Sequence, residues 1–161
     1  MVKSFKEFIV EQEKYNNLSE MKDSAGLAIV CQGKILLVHP ANSSWQKPTY
    51  GIPKGRIEMG ETEWNTAIRE VMEETGLEVP EEYINREPKV VTLYAKEKPV
   101  RNLTYFEVEV PTLETLGLTG PTVPKNMLQL AEVDWAGFIK IEDAYSKISP
   151  AQRIILDRLK P

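Results

Sequence analysis

The sequence has almost no cysteine or histidine, the side chains on which disulfides and most zinc sites depend. Among 161 residues there is one cysteine, Cys31, and one histidine, His39. A single cysteine cannot form a disulfide within the chain, and these two residues are too few for a typical zinc site. Cys31 falls in an apolar run, where we expect a small buried hydrophobe. His39 ends a predicted strand beside a loop, where we expect a structural or rim role.

Long apolar runs and an excess of positive charge are also missing. No stretch reaches the roughly 18 apolar residues of a membrane span, and no secretory leader is present, so the sequence predicts a cytoplasmic protein without membrane contact. Its 24 acidic and 20 basic residues give a net charge of −4. This charge argues against nucleic acid as a partner. The length and the 42% hydrophobic content suit one domain with its own core.

The apolar pattern predicts strands on both sides of one central helix. Two apolar runs, 24–31 and 34–39, are joined by Gln32-Gly33 and predict a β-hairpin. Further strands are expected at 49–52, 89–96, 100–110 and 133–139. Residues 111–130 are rich in Pro, Thr and Gly, and we expect them to form a long, mobile loop. Ser149-Pro150 predicts an N-cap that opens a last helix, which gives a layered α/β domain.

The central helix is expected at 63–75 and has two unlike faces. Its apolar stripe consists of Trp64, Ala67, Ile68, Val71, Met72 and Thr75. The opposite arc gathers Glu63, Glu70, Glu73 and Glu74. The last three are neighbours at this spacing and repel one another. A solvated acidic face is the ordinary explanation of such a run.

The residues around this helix favour a metal site instead. Gly55 and Gly60 bracket a tight loop before the helix, Thr62 can cap its first turn, and Gly76 can end it. A loop of free backbone carbonyls followed by clustered carboxylates offers the hard oxygen ligands that Mg²⁺ prefers.

The stretch from Gly55 to Leu77 resembles the signature of the Nudix hydrolases at every defining position. The matching residues are Gly55, Glu61, Arg69, Glu70, Val71, Glu73, Glu74, Gly76 and Leu77. The resemblance implies an α/β/α sandwich around a mixed sheet, in which this stretch forms a loop, a helix and a loop. The expected Nudix domain is 24–161.

The resemblance also implies a set of catalytic residues and a set of metal ligands, and three glutamates belong to both sets. The catalytic residues would be Arg69, Glu70, Glu73 and Glu74, and the metal ligands would be Gly55, Glu70, Glu73 and Glu74. Glu61 would be an accessory ligand or a residue that supports the ligands. The metal would be Mg²⁺, with Mn²⁺ as the alternative. Within this group, Arg69 is expected to act as the structural partner of a neighbouring glutamate. The general base is open between one of these glutamates and Glu132.

Residues outside the signature bear on the substrate, which we expect to be a small nucleotide. Those expected to bind it are Trp45, Lys54, Arg56, Tyr94 and Tyr105. The alternatives are that the two tyrosines only stabilise strands and that the two cations are only solvated. The Pro-Lys-Gly lead-in at 53–55 and the position of Tyr94 resemble diadenosine polyphosphate hydrolases. A dinucleoside polyphosphate such as diadenosine tetraphosphate is therefore the first hypothesis, since a tyrosine can stack on a base. Pyrophosphohydrolysis of nucleoside triphosphates or ADP-ribose is the runner-up, and a non-catalytic nucleotide sensor is the weakest alternative.

Residues 1–23 lie outside the catalytic resemblance and predict an amphipathic helix with a polar linker. Phe5-Lys6-Glu7-Phe8-Ile9, followed by Leu18-Ser19-Glu20, resembles the removable capsid-targeting peptide of some tailed phages. Cleavage after Glu20 would leave the catalytic domain whole. Under this hypothesis the protein would associate with a phage capsid or prohead and be packaged in the virion. The alternative is an accessory helix that packs on the domain.

Overall fold

The computed structural model describes residues 23–159, so the predicted N-terminal helix, its capsid-targeting role and its cleavage site lie outside the described residues. The strands are β1 (Ser24–Cys31), β2 (Lys34–Pro40), β3 (Lys54–Arg56), β4 (Lys89–Ala95), β5 (Lys98–Val110) and β6 (Val133–Lys140). The α-helices are α1 (Glu63–Thr75), α2 (Ile141–Ala144) and α3 (Arg153–Leu159). Within 23–159, no helix is both long enough and apolar enough to span a bilayer.

The six strands form one mixed sheet, as predicted from the resemblance. Its order is β4-β5-β1-β2-β6, and β3 pairs with the first residues of β1. The β1–β5 pair is parallel along its whole length, from Ser24 opposite Leu103 to Cys31 opposite Val110. All the other pairs are antiparallel. The predicted β1–β2 hairpin at Gln32-Gly33 is present.

Each face of the sheet is covered by its own hydrophobic cluster. On one face, Ala67 and Val71 of α1 pack against Leu27 and Phe106, and all four are at most 4% exposed. The opposite face carries a second cluster, whose buried members are Ala28, Ile35, Leu37, Tyr50, Ile52, Val91, Leu93, Leu103, Tyr105, Ala144, Ile148, Ile155 and Leu156. Helices on both faces of a sheet confirm the expected α/β/α layering.

Helix α1 begins and ends at the residues that the sequence predicts. The Thr62 side chain accepts a hydrogen bond from the Asn65 backbone N–H at 3.1 Å, which satisfies one free donor of the first turn. Gly76 ends the helix with φ of 72°, a conformation that residues with a Cβ seldom adopt. Both ends of α1 are thus determined by residues adjacent to the helix in the sequence.

The prediction of a strand at 49–52 is wrong. Residues 49–52 form only isolated bridges at Tyr50 and Gly51, and the strand is β3, which begins two residues later. Residues 111–130 contain two short 3₁₀ helices, Leu113–Leu116 and Lys125–Met127. The side chains that anchor this segment in the core are Leu116, Leu118, Val123 and Leu128. The segment is therefore a long loop, as predicted, whose buried side chains attach it to the core. Its expected mobility stays a prediction.

As predicted, Ser149 is the N-cap residue of the last helical segment. Its side chain makes no capping hydrogen bond, and the last helix opens as a 3₁₀ turn, Pro150–Gln152, before α3. The expected burial of Cys31 is confirmed, since the side chain is 3% exposed and burial raises the pKa of its thiol.

Candidate functional site

A polar cleft of about 690 Å³ opens beside β3, where the loop before α1 meets the sheet. It is lined by the carboxylates of Glu70, Glu73 and Glu74 together with Gly55. Its other charged lining residues are Lys54, Arg56, Glu58, Arg101 and Glu132. The lining also includes Thr49, Gly51 and Ile52 and, from the C-terminal part of the chain, Ser149, Ala151 and Gln152. The fold therefore brings signature residues and residues far away in sequence into one cleft.

Glu74 is the most perturbed carboxyl of the cleft. Its Oε1 accepts a hydrogen bond from the Lys54 backbone N–H at 3.1 Å, which holds the side chain against β3. Burial raises the pKa of Glu74 to about 8, and the nearby charges of Glu70 and Glu132 push the pKa in the same direction. A carboxyl with such a pKa carries a proton at neutral pH unless a cation compensates its charge.

Glu70 occupies the space that a side chain at Gly55 would fill. A Cβ built on Gly55 would lie 1.9 Å from the Glu70 carboxyl carbon, so only glycine lets Glu70 lie against this backbone. Burial raises the pKa of Glu70, although Arg69 opposes the shift. Gly55 and Glu70, both signature residues, therefore form one close contact.

Arg69 joins three of the signature glutamates. Its guanidinium donates to Glu61 at 2.7 and 2.8 Å, to Glu70 at 2.9 Å and to Glu73 at 3.0 Å. It also donates to the Arg56 carbonyl at 3.2 Å, which ties the helix to β3. Arg69 does not line the cleft. In this structure it fixes carboxylates in place, the role that we expected for it.

Glu61 lies behind the cleft and not in its wall. Besides Arg69, it accepts hydrogen bonds from the Glu58 backbone N–H at 2.9 Å and from the Thr66 hydroxyl at 3.1 Å. The hydrogen bond from Arg69, followed by that from Glu58, lowers the pKa of Glu61 to about 2. Its oxygens are thereby engaged with protein donors, which suits a supporting role better than direct ligation.

The donor set of the cleft fits a hard divalent cation. Three carboxylates and a backbone carbonyl are oxygen ligands of the kind that Mg²⁺ and Mn²⁺ take, and Gly55 leaves room for Glu70. Among the described residues, no three His, Cys, Asp or Glu side chains converge as tightly as in a completed metal shell. In this arrangement Arg69 is paired with Glu70 and Glu73, while the Lys54 backbone N–H holds Glu74 against β3.

Three cations line the same cleft as these carboxylates. Lys54 and Arg56 are the two that we predicted from the sequence, and both line the cleft. Arg101, on β5, is a third that the sequence analysis missed. Burial lowers the pKa of Lys54, with the nearby charge of Arg101 acting in the same direction. Burial likewise lowers the pKa of Arg101, to which Arg56 adds its repulsion.

The three predicted aromatic contacts do not line this cleft. Tyr105 is wholly buried on the α3 side of the sheet, where its hydroxyl lies 3.4 Å from an Arg158 nitrogen. The Tyr94 side chain lies toward the tip of the β4–β5 hairpin and is 62% exposed. Trp45 stacks on the His39 ring with centroids 3.5 Å apart. The expectation that Tyr105 faces the site is wrong, because Tyr105 points toward the core.

His39 is a fixed structural residue, as we expected. It is fully buried, its Nδ1 lies 2.6 Å from Asp134 Oδ1, and its Nε2 lies 3.1 Å from the Ser44 carbonyl. Glu132, the outside candidate for the general base, lines the cleft. Its charge acts on both Glu70 and Glu74. Gln129 and Gln152 also line the cleft and were not predicted.

Comparison with solved structures finds the same fold in several hydrolases. A C. elegans Ap4A hydrolase in a binary complex is 22% identical with a TM-score of 0.61, over 85% of this chain and 93% of that one. A MutT NUDIX hydrolase from Burkholderia pseudomallei is 20% identical with a TM-score of 0.60, over 86% and 98%. A bifunctional NMN adenylyltransferase/ADP ribose pyrophosphatase from Francisella tularensis is 17% identical with a TM-score of 0.59, over 96% and 48%.

No curated protein sequence matches the chain significantly. The family model of the NUDIX domain matches residues 21–159. That match contains the whole cleft and all nine signature positions. The chain therefore belongs to the Nudix hydrolase family.

Proposed function

We propose that this enzyme hydrolyses a phosphoanhydride bond in a nucleoside diphosphate linked to another moiety, with dinucleoside polyphosphates such as diadenosine tetraphosphate as the first candidates. The observation that carries the proposal is the composition of the cleft, where Glu70, Glu73 and Glu74 share the wall with Lys54, Arg56 and Arg101. Carboxylates beside cations suit a polyphosphate together with the divalent cation that accompanies it. The fold shared with an Ap4A hydrolase is consistent with this choice.

Members of this family generally use a divalent metal ion, and Mg²⁺ is our proposal here, with Mn²⁺ as the alternative. The residues that would hold it are Gly55, through its carbonyl oxygen, and Glu70, Glu73 and Glu74. When bound, such an ion neutralises phosphate charge and makes water a better nucleophile.

The side chains of the protein supply positioning and proton transfer. Lys54 and Arg56 are placed to bind phosphate oxygens and so to orient the scissile bond. Arg69 holds the carboxylates of Glu70 and Glu73 in place through ion pairs. Glu132 lies at the cleft on a segment separate from α1, which makes it our candidate for the base that accepts a proton from the attacking water.

One observation favours the runner-up, a mononucleotide substrate. A dinucleotide needs two surfaces for its bases, and neither Tyr94 nor Tyr105 lines the cleft. Pyrophosphohydrolysis of a nucleoside triphosphate needs only one such surface. ADP-ribose, the other runner-up substrate, also carries a single base.

The proposed function is tested with a substrate panel in ¹⁸O-labelled water and Mg²⁺. The panel contains diadenosine tetraphosphate, ATP and ADP-ribose, and mass spectrometry locates the label in the products. Preferred cleavage of diadenosine tetraphosphate supports the first candidate. A preference for ATP or ADP-ribose assigns the runner-up, and a failure to cleave any of the three contradicts the proposal.

A further inference from the structure

Strand pairing places Ser24 and all three cleft cations on one face of the sheet. Ser24 lies opposite Arg56 across the β1–β3 pair and opposite Leu103 across the parallel β1–β5 pair. Directly opposed residues project to the same side, and so do residues two apart in one strand. The Lys54 side chain therefore projects to the same side of the sheet as that of Arg56, and the Arg101 side chain to the same side as that of Leu103. This is the α3 side of the sheet, because Leu103 belongs to that cluster.

The polar groups on this patch have few partners within residues 23–159. No ion pair or side-chain hydrogen bond there involves the charged ends of Lys54, Arg56 or Arg101. The Ser24 hydroxyl is the one buried side-chain polar atom of that range that lacks a hydrogen-bond partner. Ser24 is 1% exposed and lines the cleft. An unpaired buried hydroxyl costs free energy unless a ligand engages it.

The acidic groups whose charge acts on Lys54 and Arg101 make hydrogen bonds elsewhere. Asp23 acts on the charge of Arg101, but its Oδ1 accepts the Asn102 backbone N–H at 2.8 Å. Glu70 is bound to Arg69, and Glu74 accepts from the Lys54 backbone. The positive charge that Arg56 and Arg101 concentrate beside Ser24 is therefore suited to an external anion.

We propose that Ser24, Arg56 and Arg101 form a subsite for a phosphoryl group beyond the diphosphate at the carboxylate cluster. The inference rests on the proposed function and narrows its substrate class to nucleotides with three or more phosphates in a row. The two guanidinium groups donate to the phosphoryl oxygens, and the Ser24 hydroxyl gains its missing partner. A diphosphate such as ADP-ribose has no group that reaches this subsite.

The first experiment measures substrate choice in two variants, Arg101→Gln and Ser24→Ala. Loss of a charged hydrogen bond to phosphate lowers kcat/KM by roughly tenfold or more. In Arg101→Gln, we expect kcat/KM for diadenosine tetraphosphate and ATP to fall at least about tenfold more than kcat/KM for ADP-ribose, mainly through KM. In Ser24→Ala, kcat/KM for the two polyphosphates likewise falls more than kcat/KM for ADP-ribose. Arg153→Gln, an exposed arginine outside the cleft, is the matched control. Equal losses on all substrates overturn the subsite.

The second experiment needs no catalysis and so separates this proposal from the proposed function. In metal-free buffer with chelator, we expect inorganic tripolyphosphate to raise the Tm of the wild-type protein and of Arg153→Gln. The rise is smaller in Arg101→Gln and in Ser24→Ala, although Ser24→Ala alone leaves the unliganded Tm unchanged or higher. An equal rise in all four proteins overturns the subsite even if the enzyme is active. A selective rise supports it even if no panel substrate is cleaved.

Discussion

Glu74→Gln should make the metal-free protein more stable while it strongly lowers turnover. The wild-type side chain is a carboxyl whose pKa is raised by burial to about 8, and its one backbone contact is the Lys54 N–H at 3.1 Å. The glutamine keeps an oxygen that can accept this hydrogen bond, but it cannot ionise. The substitution therefore removes the cost of a buried charge and leaves the backbone contact in place.

The sign and size of the effect follow from proton linkage. With a pKa of about 8 in the folded protein and an ordinary value of 4.5, Glu74 favours the folded state at low pH. That contribution is fully present below pH 4.5 and is lost as the pH rises through 8. At about 1.36 kcal/mol per pKa unit, the ceiling is about 5 kcal/mol. Water that enters the open cleft reduces it, so we expect about 1–3 kcal/mol.

The assay is urea unfolding with chelator at three pH values from 5 to 8. We expect Glu74→Gln to match wild type at the lowest pH and to exceed it at the highest. Glu78→Gln, an exposed carboxyl just past α1, is the control and should follow wild type throughout. Turnover of Glu74→Gln with saturating Mg²⁺ should fall by at least about 100-fold, as for other groups that stabilise developing charge. A variant that is less stable than wild type at pH 8 refutes the electrostatic reasoning.

Further predictions concern the contacts that shape the cleft and the core. Gly55→Ala should lower kcat about tenfold or more while the fold persists, because the new Cβ displaces the flexible Glu70 carboxyl; steady-state kinetics and circular dichroism check this. Tyr94→Ala should leave KM for diadenosine tetraphosphate within about twofold, since its exposed ring lies outside the cleft; a larger rise would return Tyr94 to the site. Ile155→Ala should cost about 2–5 kcal/mol in urea unfolding, and the neighbouring exposed Ile154→Ala less than about 0.5 kcal/mol.

The parts that the sequence predicts well are those determined by local signals. Thr62 and Gly76 delimit α1 because a side-chain acceptor and a left-handed residue satisfy the free ends of any helix. The spacing of Glu70, Glu73 and Glu74 fixes their common arc on that helix before any tertiary contact forms. Hence the signature, its helix and its carboxylates could be predicted without the fold.

The parts that the sequence does not predict depend on strand pairing across long separations. Arg101 reaches the cleft because β5 pairs in parallel with β1, about eighty residues earlier, and a strand pattern alone does not show this. The same strand register directs the Tyr105 side chain into the core. The spacing of Arg101 along its strand was a usable signal. Arg101 stands two residues before Leu103 and four before Tyr105, so the three side chains lie on the same side of β5.

The central claim is that the carboxylates of α1 hold a divalent cation that drives phosphoanhydride hydrolysis, and Glu73→Gln tests it most directly. Glu73 lines the cleft but is half exposed and is not packed in the core, so its loss should not disturb the fold. The measurement is turnover of the best panel substrate across a Mg²⁺ titration, for the variant and wild type side by side. We predict no wild-type activity with chelator, and for Glu73→Gln a higher Mg²⁺ requirement with kcat lower by about 100-fold or more. Wild-type turnover in chelator, or a Glu73→Gln enzyme with an unchanged Mg²⁺ titration and kcat, would contradict the claim.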